Sequence, residues 1–122
     1  MKSLTWNEEE LLFDKLETAV YEYCETYGTD DEKRQNLFHV LRNNDCREMI
    51  ATHIDWSNVF TCAANRNHLD ILEAFLDQGM KMNIQDQYGD FALMYASMNG
   101  HEDSVRLLLN RNATSIFKEG IT

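Results

Sequence analysis

The feature that most constrains this chain is an internal repeat of 33 residues. Asn67-His68 is followed at that offset by Gly100-His101. At the same offset Ala63 pairs with Ala96, Asp70 with Asp103, Leu72 with Val105, Phe75 with Leu108 and Leu76 with Leu109. Apolar residues in each copy recur in steps of three and four, which is helical spacing. A unit of this size cannot bury its apolar face alone. Stacking on neighbouring units supplies the core.

The residue types at fixed places have physical reasons. Ala63 and Ala96 are small, as expected where two helices approach closely. Gly79 and Asn112 are expected to end helices, because a left-handed backbone costs a residue bearing a Cβ about 1–2 kcal/mol unless it is Gly or Asn. Gly89 suits a tight turn for the same reason. His68 and His101 are expected at the turn between two helices, where an imidazole can bond to loop backbone. Leu76, Leu108 and Leu109 are expected to fill the space between layers.

The second copy reads Asp86-Gln-Tyr-Gly89-Asp-Phe-Ala-Leu93-Met-Tyr-Ala96-Ser-Met-Asn-Gly100-His101, then Val105, Leu107, Leu108, Leu109 and Asn112-Ala113. The first runs from about Ile54 to Lys81, and its best stretch is Ala63 to Gly79. This pattern resembles the ankyrin repeat: an Asp-x-x-Gly turn, an inner helix, a Gly-His turn, and an outer helix ending in a Leu-Leu pair. It departs from the family where Thr-Pro-Leu-His would stand. Here that stretch is Phe91-Ala92-Leu93-Met94, and Asn58-Val59-Phe60-Thr61 in the earlier copy. Hydrophobic filling by Phe91 and Met94 is expected to replace the family's hydrogen bonds.

The resemblance implies an all-α fold, with N-terminal helices over residues 1–53 capping a short ankyrin-type solenoid over residues 54–122. The repeats would span 54–85 and 86–118, with a truncated end. It also implies protein binding through the hairpin tips and the groove of the inner helices. Position by position, that surface would hold Lys81, Gln85, Gln87, Tyr88, Asp90, Tyr95, Met98 and Asn99, with Cys62, Asn65 and Arg66 from the earlier copy. Tyr, Met and Arg side chains are enriched at interfaces.

Residues 7–27 are predicted to form an amphipathic helix. Asn7 would cap it, Trp6 and Leu11 would staple it, and Leu12, Leu16, Ala19, Val20, Tyr23 and Tyr27 would share its buried face. Gly28 would stop it. A second helix is predicted from Thr29 or Asp30, and a short one from about Cys46 to His53. Gln35–Asn44 looks weakly like another outer helix, so a degenerate third repeat is an alternative for this region. The chain has no proline and no sustained alternation of strand type.

Net charge is −10 and uneven. Residues 1–32 hold ten acids against two lysines, a balance of −8. Direct nucleic-acid binding is therefore not expected, since phosphate contacts need Lys and Arg. No apolar run is long enough to span a membrane, and the N-terminus does not read as a signal peptide. Cys24, Cys46 and Cys62 are odd in number and widely spaced, which points to reduced thiols in a cytoplasmic protein.

His39, His53, His68 and His101 lack metal-ligand spacing with the cysteines or acids. Glu8-Glu9-Glu10 and Asp30-Asp31-Glu32 read as helix starts rather than catalytic pairs. No phosphate loop or nucleophile motif occurs, so no catalytic residue, cofactor or metal is expected. The leading expectation is a non-enzymatic adaptor or inhibitor that binds a protein partner, with a basic partner favoured by the acidic N-terminal face. The alternative is an acidic nucleic-acid mimic that blocks a basic nucleic-acid-binding protein, as in conflict between phage and host. The C-terminal end, with Ile116 and Phe117 near it, is expected to be covered by a second copy, by the partner, or by its own last residues folding back as a lid.

Overall fold

The structure is a computed structural model that describes residues 6–52, 56–81 and 91–120. Gln85, Gln87, Tyr88, Asp90, His53 and the turn at Gly89 lie outside the described residues, as do the side chains of Trp6, Asn7, Ile116 and Phe117. Among the described residues there are seven helices and no strand: α1 (Trp6–Glu25), α2 (Asp31–Asn43), α3 (Arg47–Thr52), α4 (Ser57–Asn65), α5 (Leu69–Asp77), α6 (Ala92–Met98) and α7 (Glu102–Gly120).

Local chemistry sets the ends of these helices. Asp30 caps α2, its carboxylate accepting the backbone N–H of Glu32 at 3.0 Å and of Lys33 at 3.3 Å. That satisfies two of the donors a helix start leaves open. α1, α4 and α6 end alike. Tyr27, Asn67 and Gly100 take left-handed backbone with φ of 54°, 60° and 69°. The next N–H in each case bonds back five residues: Gly28 to the Tyr23 carbonyl, His68 to that of Ala63, and His101 to that of Ala96. This shared turn places Tyr23, Ala63 and Ala96 at equivalent points of three helices.

The helices stack in two rows. α1 packs on α4 and α4 on α6, while α2 packs on α5 and α5 on α7. Within each layer α1 pairs with α2, α4 with α5, and α6 with α7. Ala63 and Ala96 are fully buried, as their size suggests, and Tyr23 occupies the same place in α1 with no exposure. Leu37, Leu41, Phe60, Ile71, Leu72, Phe75 and Leu108 complete one continuous core. Phe60 meets Phe75 edge to face at 6.5 Å, a favoured aromatic geometry.

Polar groups fasten the outer row. The Gln78 amide donates to the carbonyls of Leu41 and Asn44 at 2.6 and 2.8 Å, and its oxygen accepts the N–H of Cys46 at 3.0 Å. One side chain thus closes the end of α2 and the start of the link to α3. Arg34 pairs with Asp70 across α2 and α5 and with Asp31 on its own helix. Asp77 receives Arg111 at 2.7 Å and Arg42 at 3.7 Å, so it joins the first and last layers through the middle one.

Four expectations need correction. Met94 does not fill the core in place of the family's hydrogen bonds: its side chain is 43% exposed on α6. Tyr27 does not share the buried face of the first helix: α1 has already ended, and the side chain is 73% exposed. Leu109 is not interlayer filling but 47% exposed, because no further layer covers it among the described residues. Asn112 does not end a helix, since α7 continues to Gly120. An asparagine is only a weak stop, and neither proline nor glycine stands between it and Gly120.

Candidate functional site

The repeated turn sets side by side the residues just before it. Two residues ahead of the left-handed position stand Glu25, Asn65 and Met98. One residue ahead stand Thr26, Arg66 and Asn99. Glu25, Asn65, Arg66, Met98 and Asn99 are all exposed, Met98 to 80%. Hydrogen bonds between layers hold the row in register. Arg66 Nε donates to the Tyr27 carbonyl at 2.7 Å, Asn99 Nδ2 donates to Asn65 Oδ1 at 2.5 Å, and His101 Nε2 meets the Asn65 carbonyl at 2.8 Å. Asn65, Arg66, Met98 and Asn99, separate in the sequence, therefore form one ridge. Tyr95 and Cys62 are half-buried beside it, and Lys81 is exposed.

Tyr27 joins this ridge although helical periodicity placed it elsewhere. A bulky residue with positive φ is an outlier, and its ring packs little, being 73% exposed. Gly28 after it is required: φ is +75°, and a Cβ would come within 3.0 Å of Arg66 Cγ and 3.2 Å of the Tyr23 hydroxyl. The Arg66 stem thus lies across Gly28, and that close approach aims its guanidinium at the Tyr27 carbonyl.

Beneath the ridge, the Tyr23 hydroxyl meets His68 Nδ1 at 2.6 Å. Burial, reinforced by Cys62 and Cys24, pushes the Tyr23 phenol far above its ordinary value. The phenol stays protonated, and the tautomer of the neutral imidazole sets which of the two groups donates. Burial and the Arg34 guanidinium lower the His68 value from 6.5. Above pH 6.5 the ring is neutral in both folded and unfolded chains, and stability is at its full level. Below it the unfolded chain binds a proton that the folded chain resists, so stability falls until the pH passes the folded-state value. Urea midpoints measured from about pH 7.5 to about pH 5 should drop for the natural chain and stay flatter in His68→Gln. Parallel slopes would remove His68 as the cause.

None of the thiols is activated. Burial raises Cys24 to about 12 and Cys46 to about 11, and it raises Cys62 as well. All three are unpaired. Among the described residues no group of His, Cys, Asp and Glu could hold a metal ion, and no helix is long and apolar enough to cross a membrane.

Comparison with known proteins decides the family. A family model described as ankyrin repeats (3 copies) matches residues 27–118. The chain is an ankyrin-repeat protein. The match begins at the Tyr27 turn and takes in α2 and α3 as well as the 33-residue repeat. Ankyrin repeats are protein-interaction modules, and the turns and inner-helix ends described above are those of the ankyrin repeats in this chain. A stretch of 47 residues is 40% identical to a rice protein (Oryza sativa subsp. japonica) named a probable E3 ubiquitin-protein ligase, XBOS33. That stretch is 38% of this chain and only 9% of the rice protein, so the likeness carries no ligase chemistry to this chain. No solved structure matches the chain.

Proposed function

We propose that this ankyrin protein is a non-enzymatic adaptor or inhibitor that holds a protein partner on the inner-helix ridge, with the hairpin tips around Gln85, Gln87, Tyr88 and Asp90 adding to the surface. The observation that carries the reading is the pair of side chains left out for no structural reason. Tyr27 is strained and exposed, and Met98 is 80% exposed on the same row. Strained residues concentrate at functional sites. Three reduced thiols fit work inside the cytoplasm.

Substitution at Tyr27 separates binding from folding. Asn tolerates a left-handed backbone, so Tyr27→Asn should leave stability unchanged or raise it by about 1 kcal/mol. Its affinity for a partner recovered from native lysate should drop about tenfold or more, as for an interface aromatic. Loss of stability with unchanged affinity would make Tyr27 structural.

The acidic-mimic reading keeps one observation. Glu10, Asp14, Glu17 and Glu25 are exposed on α1 and join no ion pair among the described residues. A mimic would lose its partner between low and moderate salt, whereas ridge binding through Tyr27 and Met98 would persist. The C-terminal end is a separate proposal, with Leu109 exposed on the last helix and a second copy as its cover. Light scattering coupled to size exclusion checks this, and a monomer at high concentration would remove the dimer.

A further inference from the structure

We infer that the exposed row along the inner helices, the groove that the ankyrin resemblance implies, receives an extended peptide of fixed polarity, with a lysine or arginine over α1 and a large apolar side chain over α6. This rests on the ridge reading above and adds the chemistry of what lies there. Glu25, Asn65 and Met98 hold the same place on three neighbouring inner helices, so the groove changes character from end to end: carboxylate, amide, thioether.

The exposed side of α1 is acidic, with the Arg66 guanidinium at the end of α4 held aside on the Tyr27 carbonyl. Glu17, Tyr21 and Glu25 follow one another at steps of four, one turn apart on one side of the helix. Tyr21 is 65% exposed between the two carboxylates, so a cation there meets both charge and an aromatic ring. Lys15 is the one base on α1, and Glu22 is already paired with Lys33 at 3.5 Å. The α6 end is the opposite. Helix Ala92–Met98 carries no charged residue, and Met94 and Met98 stand 43% and 80% exposed. Methionines are adaptable apolar binding surfaces. In the middle, Asn65 accepts from Asn99 through its side-chain oxygen and its carbonyl meets the His101 ring, while its side-chain N–H has no partner among the described residues and can meet a peptide carbonyl.

Packed helices lie about 8–10 Å apart, so two steps from α1 to α6 span about 16–20 Å. An extended chain rises about 3.3 Å per residue, which sets the basic and apolar anchors about five or six residues apart. The field of the acidic end repels nucleic acid and rewards a cationic peptide.

The test is display of random 12-residue peptides against the full chain, with fluorescence anisotropy on the peptides selected. The inference expects Lys or Arg and a large apolar residue about five or six positions apart. It expects about tenfold weaker binding by Glu25→Lys and by Met98→Asp, whose positions are exposed, with helicity by circular dichroism unchanged. It also expects weaker binding when four residues are inserted between the anchors. Asn65→Trp, which obstructs the middle of the groove, separates the two levels of the argument. Peptides lost on Asn65→Trp yet indifferent to Glu25→Lys would overturn the polarity and leave the groove. Peptides indifferent to Asn65→Trp would remove the groove reading and this inference with it. Recovery of no peptide would overturn a linear partner and leave the ridge to a folded one.

Discussion

Leu108→Ala should destabilise the chain by about 2–5 kcal/mol, while Leu109→Ala should cost under about 1 kcal/mol. The two residues are adjacent and chemically identical, which makes them controls for each other. Leu108 has no exposure and belongs to the core shared by all the layers, whereas Leu109 is 47% exposed on α7. Truncating Leu108 removes apolar burial and leaves a cavity that surrounding helices can only partly close. Small domains have about 5–15 kcal/mol in total, so the first substitution threatens folding at physiological temperature. Urea denaturation of both variants is the measurement. Equal effects would mean that Leu108 is not interlayer core. Glu17→Ala, on the exposed side of α1, should be nearly neutral in the same experiment.

Gln78→Ala should be the most costly polar substitution, at about 1–3 kcal/mol. The Gln78 side chain is partly buried and makes three hydrogen bonds to main-chain groups of Leu41, Asn44 and Cys46. Removing it strands two carbonyls and one N–H where water reaches them poorly, and an unmet buried polar group carries its full desolvation penalty. Gln78→Glu separates hydrogen bonding from shape. The carboxylate can still accept from Cys46 but offers no N–H to the two carbonyls, so it should fail nearly as badly as alanine. Retention of full stability by the glutamate variant would show that the carbonyl bonds contribute little.

The repeat was legible because its constraints are strict. Ala63 and Ala96 have no room to be larger, and the positive φ at Asn67 and Gly100 admits few residue types. The layer formed by α1 and α2 was only faintly legible, for two physical reasons. Tyr23 stands where the other copies have alanine, its hydroxyl meeting the His68 ring, so the smallest-residue signal is missing. The spacing is also wrong: Tyr27 to Asn67 is 40 residues rather than 33, with α3 lying between α2 and α4. α2 is nonetheless the outer helix that Gln35–Asn44 suggested in outline.

The ridge was partly legible. Asn65, Arg66, Met98 and Asn99 followed from register alone, because a residue's distance from the turn decides which way it faces. Tyr27 was missed because its spacing continues the buried stripe of α1, and periodicity cannot see a helix end two residues earlier. The positive φ that ends it could have been suspected from Gly28, but Tyr is a poor candidate for the left-handed place. Tyr21 was missed too, being a single aromatic among acids on a face that reads as solvated.

The order of the stack bears on how a bound peptide would be held. In a linear array each layer is stabilised by itself and by its immediate neighbours. Among the described residues the α4/α5 pair has neighbours on both sides, and each outer pair has one. Fluctuations therefore start at the two ends, and the middle pair is the last to open. A ligand that spans all three inner helices would clasp both fraying ends at once. Its occupancy would then be read far from the ridge, as slower amide exchange in α2 and α7, helices it never touches.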